Sequence, residues 1–161
     1  MKRLAALAIA ASASAPAPAE AKAGLDLIAF FSGRTHAESQ IKVAFHKPLR
    51  HVTDSVGKRA PNGDLILIDR IREEGKPLKE RRWVMHQSGP NRFTGTLTDA
   101  VTPVEITVSG TEARIRYKMK GGISIDQQLT MKDSRTLLNH VSAKRLGIRL
   151  GRLEGTIRKL D

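Results

Sequence analysis

Residues 113–131 read Ala-Arg-Ile-Arg-Tyr-Lys-Met-Lys-Gly-Gly-Ile-Ser-Ile-Asp-Gln-Gln-Leu-Thr-Met. Ala113, Ile115, Tyr117 and Met119 alternate with Arg114, Arg116, Lys118 and Lys120. A period of two puts the first set on one face of a strand and the second on the other. Gly121-Gly122 interrupts the run, and Ile123, Ile125, Gln127, Leu129 and Met131 resume it on one face. Two alternating runs joined by a glycine pair predict an antiparallel hairpin. Its apolar face belongs against a core and its basic face in water.

The same alternation extends in both directions. Upstream, Phe93, Gly95 and Leu97 share a face, and Val104, Ile106 and Val108 follow the break at Thr102-Pro103. Arg81 to Gln87 sets Trp83 and Met85 on one face, ahead of a turn at Ser88-Gly89-Pro90-Asn91. Leu65 to Ile71 reads as a buried strand after the Asn62-Gly63 turn, because Asn-Gly supplies positive φ cheaply. Gln40 to Phe45 puts Ile41, Val43 and Phe45 on one face, and His51 to Val56, limited by Pro48, is the weakest strand. Downstream, Lys132-Asp133-Ser134 turns the chain into Thr136 to Ala143 and then Ile148 to Leu160. The apolar phase of this last run changes between Leu150 and Leu153, which calls for a bulge near Gly151. Leu25 to Phe31 suits a short helix or a first strand. About eight to ten short strands with evenly spaced turns predict an all-β fold. Hairpins between sequential neighbours favour a closed antiparallel up-and-down barrel, since closure removes exposed edges.

The chain has 161 residues and a net charge of +12. Lys2 and Arg3 precede an alanine-rich apolar run from Leu4 to Ala13, and small residues follow. That is the pattern of a secretory leader, with the cut expected after Ala21 and the next best site after Ala19. The apolar run is too short for a membrane anchor, which needs about 20 apolar residues. Residues 1–21 are thus expected to be a signal peptide and 22–161 one exported, periplasmic domain. Losing Lys2, Arg3 and Glu20 with the leader barely changes the charge. Such basicity attracts polyanions, and export favours lipopolysaccharide or anionic lipid over nucleic acid; the plainer reading is solubility. There is no cysteine, which leaves out thiol catalysis, zinc–thiolate sites and a lipidated cysteine. Stability must then come from the apolar core.

Several short pieces, in order, carry a resemblance. They are Phe30-Phe31-Ser32-Gly33, Arg81-Arg82-Trp83, Gly89 to Thr96, Arg116-Tyr117-Lys118-Met119, Arg135 to Asn139 and Leu146-Gly147-Ile148-Arg149. Over roughly residues 25 to 160 the chain resembles a bacterial family known as domain of unknown function 3833. The resemblance implies a lipocalin-like barrel and an envelope location, and brings no catalytic residues. This chain lacks the cysteine that lipid-anchored members carry, and it lacks the Gly-x-Trp signature of true lipocalins.

Two surfaces are candidates for function. Trp83, Met85, Phe93, Tyr117, Met119 and Gln127 have inward phase and are the expected lining of a site for an apolar or amphiphilic ligand, unless they simply fill the core. Arg114, Arg116, Lys118 and Lys120 form a basic ladder with steps of about 6.6 Å, suited to anionic lipid, lipopolysaccharide or an acidic partner. The alternative is a solvated outer wall. Among the five histidines, His86 and His140 are out of phase with the apolar residues, and no pair has metal-ligand spacing. No nucleophile elbow is present, and Glu73-Glu74 falls in a turn. No metal, cofactor or catalytic centre is therefore expected.

Overall fold

The computed structural model describes residues 24–161. The expected leader, its cleavage sites and the first residues after the cut lie outside them. A five-residue helix α1 (Leu27–Phe31) is followed by ten strands: β1 (Gly33–Val43), β2 (Leu49–Arg59), β3 (Leu65–Glu73), β4 (Lys79–Gly89), β5 (Arg92–Leu97), β6 (Val104–Ser109), β7 (Glu112–Met119), β8 (Ile123–Asp133), β9 (Thr136–Arg145) and β10 (Ile148–Lys159). Each strand pairs antiparallel with its sequence neighbour, and β10 pairs with β1 to close the barrel. The architecture is the expected lipocalin-like one.

The alternation explains the walls. In β3 Leu65, Leu67, Asp69 and Ile71 point inward, and in β7 Ala113, Ile115 and Tyr117 do. Leu65, Val104, Leu129 and Leu137 are sealed from solvent. The phase change in the last strand is met by a register shift between Arg149 and Gly151. Two expectations change. The weakest strand is part of the full-length β2, because Pro48 sits before the strand rather than within it. The Gln40–Phe45 strand begins earlier, at Gly33, and ends at Val43, so Phe45 turns away from that face with a φ of 64° and stands in solvent.

Helix α1 closes one end. Asp26 caps it by accepting from the Ala29 N–H at 2.9 Å, and Leu27, Ile28, Phe30 and Phe31 are buried against the barrel. The Leu25 N–H donates to the Gly110 carbonyl at 2.8 Å, which ties the segment to the β6–β7 turn. The Lys159 ammonium donates to the carbonyls of Phe30, at 3.1 Å, and Ser32. These carbonyls end a helix too short to satisfy them itself. Gly57 on β2 admits the helix: a Cβ there would lie 1.8 Å from the Phe31 carbonyl oxygen. Among the described residues no helix is long and apolar enough to cross a membrane.

Candidate functional site

The barrel interior holds a cavity of about 300 Å³, with Leu27 and Phe31 of α1 in its floor. Its apolar wall includes Leu67, Trp83, Met85, Ile115, Tyr117, Ile125 and Leu129. Trp83 and Tyr117, the only tryptophan and tyrosine of the chain, meet edge to face with ring centroids 5.9 Å apart. At the end away from α1 a second hollow of about 320 Å³ is lined by Val43, Ile123, Ala143 and Leu150. Ile41, Met119, Ile125, Val141 and Leu153 line both, so the mouth leads into the interior along an apolar path.

The other side of the cavity is polar. The register sets Thr35, Ser55, Asp69 and Arg81 in one row across β1 to β4. Asp69 is buried and accepts from the Ser55 hydroxyl at 2.7 Å and from the Trp83 indole N–H at 2.8 Å. Arg81 donates to the same carboxylate at 3.2 Å and lies 5.8 Å from the Trp83 ring centre. A carboxylate leaves water only when donors replace its hydration, and here three side chains do so. Arg81 Nε is buried with no partner among the described residues.

Beside this row stands His51. Its Nε2 is 3.2 Å from the Thr53 hydroxyl, while its Nδ1 is 3.8 Å from Glu73, too far for a hydrogen bond, and has no other partner among the described residues. Burial pushes the imidazole below its ordinary pKa, and the Arg81 charge adds to that; Glu73 and Asp69 pull weakly the other way. The folded chain therefore refuses a proton that the unfolded chain accepts. Stability is complete above the unfolded value of about 6.5 and falls as the pH drops below it. The melting temperature should decline between about pH 7 and about pH 5, and His51→Leu should flatten that decline. Partly buried carboxylates such as Asp54, held down chiefly by its hydrogen bond to His36, act only at lower pH. An unchanged slope in the variant would remove His51 as the cause.

The structure places the sequence-predicted residues unevenly. Trp83, Met85, Tyr117, Met119 and Gln127 line the cavity. Gln127 is satisfied by the Asn139 side chain at 2.9 Å. Phe93 is buried at the other height, beside Leu25, Leu27 and Ile28, and packs the α1 end. Gly95 marks close packing rather than space, since its Cβ would lie 1.9 Å from the Val84 carbonyl oxygen. On the outer wall, Arg114, Arg116 and Lys118 face solvent along β7, while Lys120 falls in the following turn and leaves the ladder. The ladder is also partly neutralised: Arg114 grips Asp126 with two nitrogens, the Nε at 2.9 Å, and holds that carboxyl below its ordinary pKa. Arg116 lies across from Glu105 and Asp126 in the register.

Sequence reading missed Asp69, Arg81 and His51. Asp69 shares the phase of Leu65 and Leu67, and Arg81 that of Trp83, so the signal was present. The placing of His51 beside Thr53 and Glu73 was not expected. Among the described residues no group of three or more His, Asp or Glu is placed to hold a metal ion.

Two solved structures share the fold. An S-type phycobiliprotein lyase, CPES, from Guillardia theta superposes with a TM-score of 0.67 at 6% identity, covering 83% of this chain and 90% of that one. A DUF3598-family protein of unknown function from Nostoc punctiforme gives 0.68 at 9% identity, covering 86% of this chain; this chain spans 50% of that one. A search among curated proteins finds no match. Residues 4–159 match the family model described as protein of unknown function (DUF3833), and the chain belongs to that family.

Proposed function

We propose that the protein is an exported, periplasmic carrier that holds one small apolar or amphiphilic ligand inside the barrel without covalent chemistry. One observation carries the reading. The cavity of about 300 Å³ has an apolar wall reached through an apolar mouth, and the buried Arg81 Nε and His51 Nδ1 lie among its polar lining residues without a partner among the described residues. An amphiphile would set its apolar body along Trp83, Ile115 and Ile125 and its acceptor atoms towards those nitrogens. The volume is at the lower bound for ligand sites, which begin at about 300 Å³. Apolar burial supplies about 25 cal/mol per Å² before association costs.

Support for a non-catalytic role comes from the backbone. His51 beside Thr53 and Glu73 would need preorganised donors for a developing oxyanion. In a closed barrel the backbone N–H groups of the wall are engaged by neighbouring strands. Lyase activity belongs to the fold neighbour so named; at 6% identity only the fold extends to this chain.

Trp83 makes the reading testable with no added label. Titrating delipidated protein with a medium-chain fatty acid should change the Trp83 emission saturably at one ligand per chain, and native mass spectrometry should show the same adduct. Val141→Phe, which puts bulk where mouth and interior meet, should weaken binding on the order of tenfold. No spectral change and no adduct with acids, alcohols or lysolipids would refute the carrier. Recovery of the chain with residues 1–21 intact from the cytoplasm would refute export.

A further inference from the structure

Most large apolar side chains exposed on this barrel share one end. Val43, Phe45, Leu78, Val101, Leu146, Ile148 and Leu150 all lie at the rim opposite α1, on the loops and strand ends that surround the apolar mouth. Elsewhere among the described residues only Val56 and Leu160 are comparably exposed. Phe45 and Leu146 are almost wholly exposed and sit at hairpin tips with φ of 64° and 49°, a left-handed backbone that non-glycine residues seldom adopt. The two tips are neighbours, because β1 pairs with β10 up to Val43 and Gly151.

The charge around these tips has one dominant sign. Lys47, Lys118, Lys120, Lys144, Arg145 and Arg149 surround them and take no ion-pair partner among the described residues. Two of the rim acids are engaged, Glu73 with Lys76 and Asp99 with Lys79, which leaves the exposed Glu74 of the β3–β4 turn against six unpaired cations. This is where unopposed cations and apolar tips coincide. The outer wall lacks the second ingredient, and its cations Arg114 and Arg116 face Asp126 and Glu105.

We infer that the rim docks on the surface of an anionic phospholipid bilayer. Phe45, Leu146 and Ile148 enter the boundary between headgroups and acyl chains, and Lys47, Lys144, Arg145 and Arg149 meet lipid phosphates. A protein partner fits less well, since specific interfaces need a continuous, shape-matched apolar centre. Here the apolar groups stand on separate tips around a hollow. A fluid bilayer accepts separate tips, and attraction to anionic lipid adds for each nearby cation. Docking in this pose turns the apolar mouth to the lipid. It does not depend on what the cavity holds: an empty barrel docks equally.

The test is sedimentation of the mature protein with phosphatidylcholine vesicles, with and without phosphatidylglycerol, over a salt series. Binding is expected only with phosphatidylglycerol, and it should weaken as salt screens the contact. The triple variant Phe45→Ser/Leu146→Ser/Ile148→Ser should lose about a hundredfold in affinity. The pair Lys144→Glu/Arg149→Glu should lose about tenfold or more. Arg114→Glu/Arg116→Glu on the outer wall should bind like the parent. The rim positions are exposed and take no ion-pair partner among the described residues, so the rim variants should melt with the parent, and Phe45→Trp should add a tryptophan signal that shifts blue on binding. Three results would overturn the proposal: no sedimentation with either vesicle, equal loss in the outer-wall pair, or a rim-mediated dimer of this chain that ignores vesicles.

Discussion

Asp69→Ala should cost on the order of 3 kcal/mol of folding stability. The carboxylate is the common acceptor for the Ser55 hydroxyl, the Trp83 indole and the Arg81 guanidinium. Removing it strands three donors, one of them charged, inside the barrel. A broken buried ion pair costs about 3–5 kcal/mol. Arg81 keeps some access to solvent, its side chain being 22% exposed, which places the estimate at the lower end. Against a total of about 5–15 kcal/mol this is a large fraction. Asp69→Asn retains one acceptor and should cost about half as much. The double variant Asp69→Leu/Arg81→Met removes both charges and should recover most of the loss, because matched apolar replacements of ion pairs are often neutral. Urea unfolding followed by circular dichroism measures all three. A single Asp69→Ala loss below about 1 kcal/mol would show that the polar row does not hold this wall together.

Gly155→Ala should be nearly as damaging, at about 2–4 kcal/mol, and for a different reason. Gly155 lies on β10 opposite Ser39 of β1, at the seam that closes the barrel. A Cβ there would lie 2.2 Å from the Glu38 carbonyl oxygen, 2.3 Å from Ser39 Oγ and 2.6 Å from Ser39 Cα. Two of those atoms belong to backbone held by ladders on both sides, so the clash has no cheap relief. The strands must separate locally. Hydrogen exchange should therefore quicken along β1 and β10 before it quickens at β5 and β6. Uniform acceleration, or none, would contradict a seam held by close backbone approach.

How much of this site the sequence revealed depends on what a period of two encodes. Phase says which face of a strand a residue occupies, and it placed Trp83, Met85, Tyr117, Met119 and Gln127 in the interior. Phase says nothing about height along the barrel axis. Phe93 has the right phase and the wrong height, so it packs α1 rather than the cavity. Lys120 has the phase of the ladder but lies past the end of β7, where the phase no longer applies. Phe45 left its expected face for the same reason, and its exposure then marks the rim. Asp69 and Arg81 were overlooked because an apolar run draws attention to its apolar members. Read by phase alone, both point inward and pose the question of what satisfies them.

By itself the sequence determined the strands, their turns and the order in which neighbours pair. These are local properties: alternation acts between residues two apart, and turns need only a few glycines, prolines and asparagines. The tertiary structure alone decided the register in which β10 meets β1, setting Lys159 opposite Thr35. It alone brought Ser55, Asp69, Arg81 and Trp83 to one carboxylate, and gathered Phe45 and Leu146 at one rim. That register is set by the whole sheet at once, through the pairing of strands distant in the chain, and no local pattern carries that information.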